Sequence, residues 1–196
     1  MRRRRSKWSY RESRRKRQLR RQRRAILFAL LCIIVGVCFL VFQKNDVKKG
    51  TEYLKQAKYE EAIKSFEKVS EKEKYVDQAY RGMGIAYFEL EEYENALQNF
   101  EKALEKDTEK TDTLYRFIGV CQMKLEKYEE AVQSFDAGLA LEECDEVLRK
   151  EMAYNRVIAS EKAGDWKKAS AYAKEYVTAY PDDEEMKKEA EFLESR

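Results

Sequence analysis

Tyr93-Glu94-Asn95-Ala96 is one of four versions of a single phrase. It follows Tyr59-Glu60-Glu61-Ala62 and precedes Tyr128-Glu129-Glu130-Ala131 and the looser Trp166-Lys167-Lys168-Ala169. The four alanines stand 34, 35 and 38 residues apart. Self-similarity at that period is the mark of stacked helix-turn-helix units, which bury their apolar faces against their neighbours rather than in one globular core. The expectation is therefore an all-α chain, and a stack of this kind narrows function to binding.

Working outward from each phrase, the second unit carries Tyr80, Met83-Gly84, Tyr87, Tyr93, Ala96, Phe100 and Ala103. The third has Tyr115, Ile118-Gly119, Tyr128, Ala131, Phe135 and Gly138. The first keeps Gly50, Tyr53, Tyr59, Ala62 and Phe66, with Asp46 and Lys49 where apolar residues are wanted. The fourth starts irregularly and recovers Gly164, Trp166, Ala169 and Pro181. This pattern resembles the tetratricopeptide repeat family over residues 43–183. The resemblance implies an α-solenoid of about four repeats, at 43–76, 77–110, 112–145 and 150–183. Within each repeat Gly84 and Gly119 are expected to admit Ala96 and Ala131 of the second helix, with Tyr93, Phe100, Tyr128 and Phe135 filling the space between successive pairs. Asp182-Asp183-Glu184-Glu185 then supplies an N-cap and an acidic first turn. Met186, Ala190 and Leu193 follow at helical spacing, so 184–196 reads as a capping helix.

Residues 25–42 (AILFALLCIIVGVCFLVF) hold no charge. At about 1.5 Å per residue this run extends roughly 27 Å, the thickness of a bilayer's hydrocarbon core, and reads as an uncleaved transmembrane signal anchor. No Ala-x-Ala site follows it, and Cys38 lies inside the run, so neither a cleaved leader nor a lipid-modified cysteine fits. Ala25, Ala29, Cys32 and Gly36 fall on one helix face. Such small-residue stripes let two membrane helices approach closely, which makes a homodimer through this span an expectation.

The formal net charge of +3 conceals a division. Residues 1–24 hold 14 Lys or Arg and one acid, Glu12, whereas the rest of the chain holds 26 basic and 36 acidic residues. Only Lys44, Lys48 and Lys49 flank the apolar run closely on its other side. The positive-inside rule then predicts a single-pass protein of a bacterial cell membrane, with the arm cytoplasmic and the repeats extracytoplasmic. The arm has three readings: a topology determinant, a contact to anionic lipids, and, least favoured, a nucleic-acid or ribosome tether using Trp8 and Tyr10. Of the four cysteines, Cys32 and Cys38 lie in the apolar run. Cys121 sits at a core position and Cys144 in a connection, so a disulfide framework is not expected, and a Cys121–Cys144 bridge is the one alternative.

Catalysis is not expected. The chain has no histidine, no phosphate-cradling glycine loop and no serine or cysteine set beside a base, and no cofactor or metal is called for. The family resemblance implies instead a peptide-binding groove formed by the first helix of each pair. Here its residues would be Leu54, Arg81, Ile85, Phe88, Arg116, Val120, Met123, Tyr154 and Ile158. Arg81 and Arg116 occupy equivalent places and would bind a carboxylate or an acidic peptide from an open surface. Chaperone-tail recognition does not fit, because family members that bind such tails use Lys, Asn and Arg side chains, and of Val47, Thr51, Ile85, Arg116 and Val120 at those places only Arg116 matches. Two functions remain: an extracytoplasmic interaction scaffold, or, with the topology reversed, a cytoplasm-facing adaptor or receptor.

Overall fold

The computed structural model describes the backbone of residues 2–69, 75–106 and 111–196; before Asp46, side chains are described only at Gln22, Arg24–Cys38 and Val41. Among the described residues there are nine helices. They are α1 (Arg2–Lys55), α2 (Tyr59–Phe66), α3 (Val76–Glu89), α4 (Tyr93–Lys106), α5 (Asp112–Lys124), α6 (Tyr128–Leu139), α7 (Glu146–Lys162), α8 (Trp166–Ala179) and α9 (Glu184–Glu194). The chain divides into two compact units, 1–45 and 46–196.

In the first unit the described side chains from Arg24 to Cys38 are all exposed, among them Ile26, Leu27, Phe28, Leu30 and Leu31. Among the described residues no helix is long and apolar enough to cross a membrane. Phe39, Leu40 and Phe42, which complete the uncharged run in the sequence, lie outside the residues whose side chains are described, as does most of the basic arm.

The second unit is an all-α stack in which each helix packs on the next, from α2 against α3 through to α8 against α9. Its repeating joint is a ring in a notch. A Cβ placed on Gly84 would stand 2.6 Å from the Phe100 ring, and one on Gly50 2.6 Å from Phe66; Phe135 presses on Gly119 in the same way. The nearest neighbours of these glycines are therefore phenylalanine rings, not the methyls of Ala96 and Ala131 that the sequence suggested. A flat ring fills the hollow left by a missing side chain more completely than a methyl can, and Phe66, Phe100 and Phe135 are almost wholly buried. The fourth pair reverses the sizes. Val157 stands where the others have glycine and Ala173 where they have phenylalanine, and both are fully buried in one cluster.

The turn after each first helix is equally regular. Ala57, Glu91, Glu126 and Gly164 all have positive φ, between 54° and 75°. At each, two backbone bonds close the helix, as in Glu92 N–H to Tyr87 O (2.9 Å) and Glu91 N–H to Phe88 O (3.0 Å). This is the left-handed C-terminal closure that favours glycine, and only the fourth repeat has it. The starts of α7, α8 and α9 are set by aspartates: Asp145 accepts from Val147 N–H and Leu148 N–H, Asp165 from Lys168 N–H and Asp183 from Met186 N–H. Met186, Ala190 and Leu193 are the buried residues of α9, which packs on α8.

Two measurements check this packing. Gly119→Val alone overfills the notch, for about 1–3 kcal/mol, and Phe135→Ala alone leaves a cavity costing about 3–5 kcal/mol. Together they recreate the size order of the fourth pair, so urea unfolding of the double variant should show a loss smaller than the sum by about 1 kcal/mol or more. Additive losses would mean that ring and notch do not communicate. The second measurement concerns Glu161, whose carboxyl is pushed upward by burial and then by Glu189 nearby. A raised folded-state pKa favours the protonated folded form, so stability falls as pH rises above the ordinary value of 4.5. Glu161→Gln should therefore melt higher than the natural chain at neutral pH, and the difference should vanish below that value.

Candidate functional site

The nine residues predicted for a groove lie on α1, α3, α5 and α7. Leu54, near the end of α1, is half-buried against the core of the first pair. On α3, Arg81, Ile85 and Phe88 are half-buried. Phe88 sets its ring edge against Tyr93 (5.7 Å between centroids) and Phe117 (5.3 Å), so it belongs to the seam between the second and third pairs. Val120 and Met123 on α5 likewise pack on the core of the third pair. Ile158 on α7 is half-buried, and Tyr154 is the most open of the set, at 38% exposure.

Arg116 is not an open cation. Its guanidinium lies 4.2 Å from the Phe117 ring centre, and its Nη1 donates to Glu151 Oε1 at 2.9 Å, joining α5 to α7. Arg156, which the sequence did not single out, does the same one repeat on. It donates to Asp136 (2.9 Å) and Glu175 (2.7 Å) while stacked 3.9 Å from Tyr172. Both arginines thus bridge neighbouring helices through planar, hydrogen-bonded contacts that a lysine would not reproduce.

Around Glu151 the helices enclose an open cavity of about 440 Å³. Tyr154, Tyr176 and Tyr180 wall it, with Val147 and the stem of Lys150 at its edge. The Tyr154 and Tyr176 rings meet edge to face at 6.0 Å, and Tyr176 and Tyr180 lie 4.9 Å apart. Two of the hydroxyls are engaged by carboxylates: Tyr180 donates to Glu146 at 3.0 Å and Tyr176 to Asp183 at 2.8 Å. Burial, and next the bond to Asp183, holds the Tyr176 phenol well above its ordinary pKa; the same hydrogen bond is the chief cause lowering that of Asp183. Lys150 sends its ammonium to Asp183 (3.6 Å) and over the Tyr180 ring (5.5 Å).

The structure therefore brings together Arg116, through Glu151, and Tyr154, and leaves Leu54, Arg81 and Ile85 elsewhere on the stack. It also adds Glu146, Val147, Tyr176 and Tyr180, which the sequence reading missed. For Tyr176 and Tyr180 a signal was present: Tyr172, Tyr176 and Tyr180 recur at every fourth residue along α8 and into its C-terminal cap.

The remaining expected sites are simple to place. The described residues Ala25, Ala29, Cys32 and Gly36 are exposed, and a Cβ on Gly36 would meet nothing within 4 Å. All four cysteines are free, which removes the Cys121–Cys144 alternative. Burial pushes the Cys121 thiol up to about 12, so it is a packing group rather than a nucleophile. Among the described residues no three acidic or cysteine side chains gather as a metal site would require.

The Arg116–Glu151 bridge is testable by a double-mutant cycle. Arg116→Ala and Glu151→Ala should each lower the unfolding free energy, with a coupling of about 0.5–1 kcal/mol for a pair this exposed. Zero coupling would return Arg116 to the open surface.

Three comparisons with known proteins bear on this arrangement. Tetratricopeptide repeat models match residues 47–71, 78–108 and 119–184, together more than half of the chain. No curated protein sequence matches it. Among solved structures, YrrB, described as a TPR protein with an unusual peptide-binding site, is 21% identical. It aligns over 76% of this chain and 75% of its own with a TM-score of 0.65. MamA from Desulfovibrio magneticus RS-1, from its residue 41 onward, is 19% identical over 79% and 84% of the two chains, with a TM-score of 0.63. A further MamA structure is 14% identical over 77% and 80%, at 0.66. At these identities the likeness is one of fold.

Proposed function

Because the chain belongs to the tetratricopeptide repeat family, we propose that it is a membrane-anchored interaction scaffold whose repeats bind a protein or peptide outside the cytoplasm and catalyse nothing. The observation that carries this reading is the order of its parts. An arm of 14 basic residues is followed by an uncharged run of 18 and then by a stack of helix pairs with 36 acidic residues. The exposed apolar side chains of Ile26 to Val37 support the anchor, since a patch of that extent needs lipid or protein around it. The charge difference across the run supports the orientation, and an arm so charged would favour anionic lipid headgroups. The open stripe at Ala25, Ala29, Cys32 and Gly36 supports close approach of a second copy's membrane helix. A binding role is supported by Val147 and Tyr154 on α7, an aliphatic and an aromatic side chain left exposed on the stack. YrrB, with a peptide-binding site on the same fold, lends the analogy.

Topology decides between this scaffold and a cytoplasm-facing adaptor. With a tag after Arg196, external protease should remove the tag from cells whose outer layers have been opened but whose cytoplasmic membrane is intact. Replacing the arm's arginines until its charge falls below that of Lys44, Lys48 and Lys49 should scramble the result. A tag protected until the cells are lysed would establish the adaptor instead.

A further inference from the structure

The tyrosine-walled cavity lies in a distinctive electrostatic setting. It opens beside the start of α7, where Glu142, Glu143, Asp145 and Glu146 cluster, and beside the turn into α9, where Asp182, Asp183, Glu184 and Glu185 follow Pro181. Of the cations nearby, Arg149, Lys150 and Lys187 are already engaged, the last with Glu184 at 2.7 Å. Arg149 donates inward to the carbonyls of Leu139 (3.1 Å) and Leu141 (3.4 Å), and Lys150 is held between Asp183 and the Tyr180 ring. The walls are ring carbon, because the Tyr176 and Tyr180 hydroxyls are bonded to carboxylates. Val147, 74% exposed at the mouth, is a large apolar side chain left in water beside this cavity.

An apolar chamber with an acidic rim selects a ligand with the converse pattern. We propose that this pocket receives one large apolar side chain, aromatic or long aliphatic, from an extended segment of a partner protein whose neighbouring residues are lysine or arginine. The buried side chain would stack on Tyr154 and Tyr176 and cover Val147, while its basic neighbours lie along the carboxylates of the two helix starts. Lys150 over Tyr180 is the chain's own instance of a cation accepted by this wall. The inference rests on the reading of the repeats as a peptide-binding scaffold and reverses the charge expected of the ligand. Arg81 and Arg116 suggested an acidic peptide, but Arg116 is paired with Glu151 at the cavity's own edge.

The test is selection of short random peptides displayed on phage, against the full chain immobilised in detergent micelles, with empty micelles as the blank. Recovered peptides should be enriched in Trp, Phe, Tyr, Leu or Met adjacent to Lys or Arg. Their binding should weaken with added salt and fall about tenfold or more in Tyr154→Ser and in Val147→Lys. Val147 is exposed, so its replacement leaves the fold intact and guards against loss by unfolding. Peptides that bind both variants unchanged but lose affinity in Ile85→Ser or Val120→Ser would overturn the pocket and leave the scaffold standing. Acidic consensus peptides would overturn the charge assignment. No enrichment over empty micelles would overturn the pocket and the scaffold together.

Discussion

A phenylalanine ring seated in a glycine notch is the contact on which the rest of the stack depends. In each of the first three pairs it sets how closely the two helices approach, and that distance sets where the next pair can lie. Because each unit touches only its neighbours, an error of one methyl at a notch would be carried along the stack rather than absorbed by a common core. The fourth pair shows that volume is conserved rather than residue identity. Val157 and Ala173 exchange bulk across the same joint, which is why the fourth unit reads as degenerate in sequence yet packs without exposing either residue.

The architecture was legible because it rests on local periodicity. The repeated alanines and aromatics of Tyr93-Glu94-Asn95-Ala96 and its relatives carry the helix pairs, and Asp183 with Met186, Ala190 and Leu193 carries the cap. What sequence did not show is which atoms meet across a joint. Spacing puts Gly84, Ala96 and Phe100 on facing surfaces but cannot decide whether ring or methyl enters the notch; ring size and rotamer decide that. Arg116 was misjudged for a related reason. A residue at a groove position looks open until the neighbouring repeat, 35 residues on, presents Glu151 to it. The pocket was missed because it draws on two helices at once, the first half of α7 and the end of α8, and a reading made one helix at a time does not bring Val147, Tyr154 and Tyr180 together.

The electrostatics divide in the same way. Arg116 and Arg156 are stacked on rings and paired with carboxylates, so they join neighbouring repeats. Acidic groups, in contrast, gather at helix starts, where Asp145, Asp165 and Asp183 cap backbone N–H groups and the helix dipole favours negative charge. Structural needs alone thus leave the ends of the stack acidic, and a partner meets that field before it meets any pocket.

The pocket follows from the one irregular interval. Ala131 and Ala169 are 38 residues apart where the earlier intervals are 34 and 35, and α7 has 17 residues against 14 for α3 and 13 for α5. The added length falls at its N-terminal end, since the distance from the phrase back to the left-handed turn is the same in all four repeats. Glu146, Val147 and Lys150 sit on or beside this extra turn. The start of α5 reaches only its flank, where Asp112 accepts from Asp145 N–H at 2.8 Å, and α9 packs chiefly on α8, so the face that carries Val147 stays exposed. Stacking geometry that buries the equivalent faces elsewhere therefore leaves this one open. Cutting α7 back to the length of α5 would restore a regular repeat and, by the same geometry, remove the mouth of the pocket.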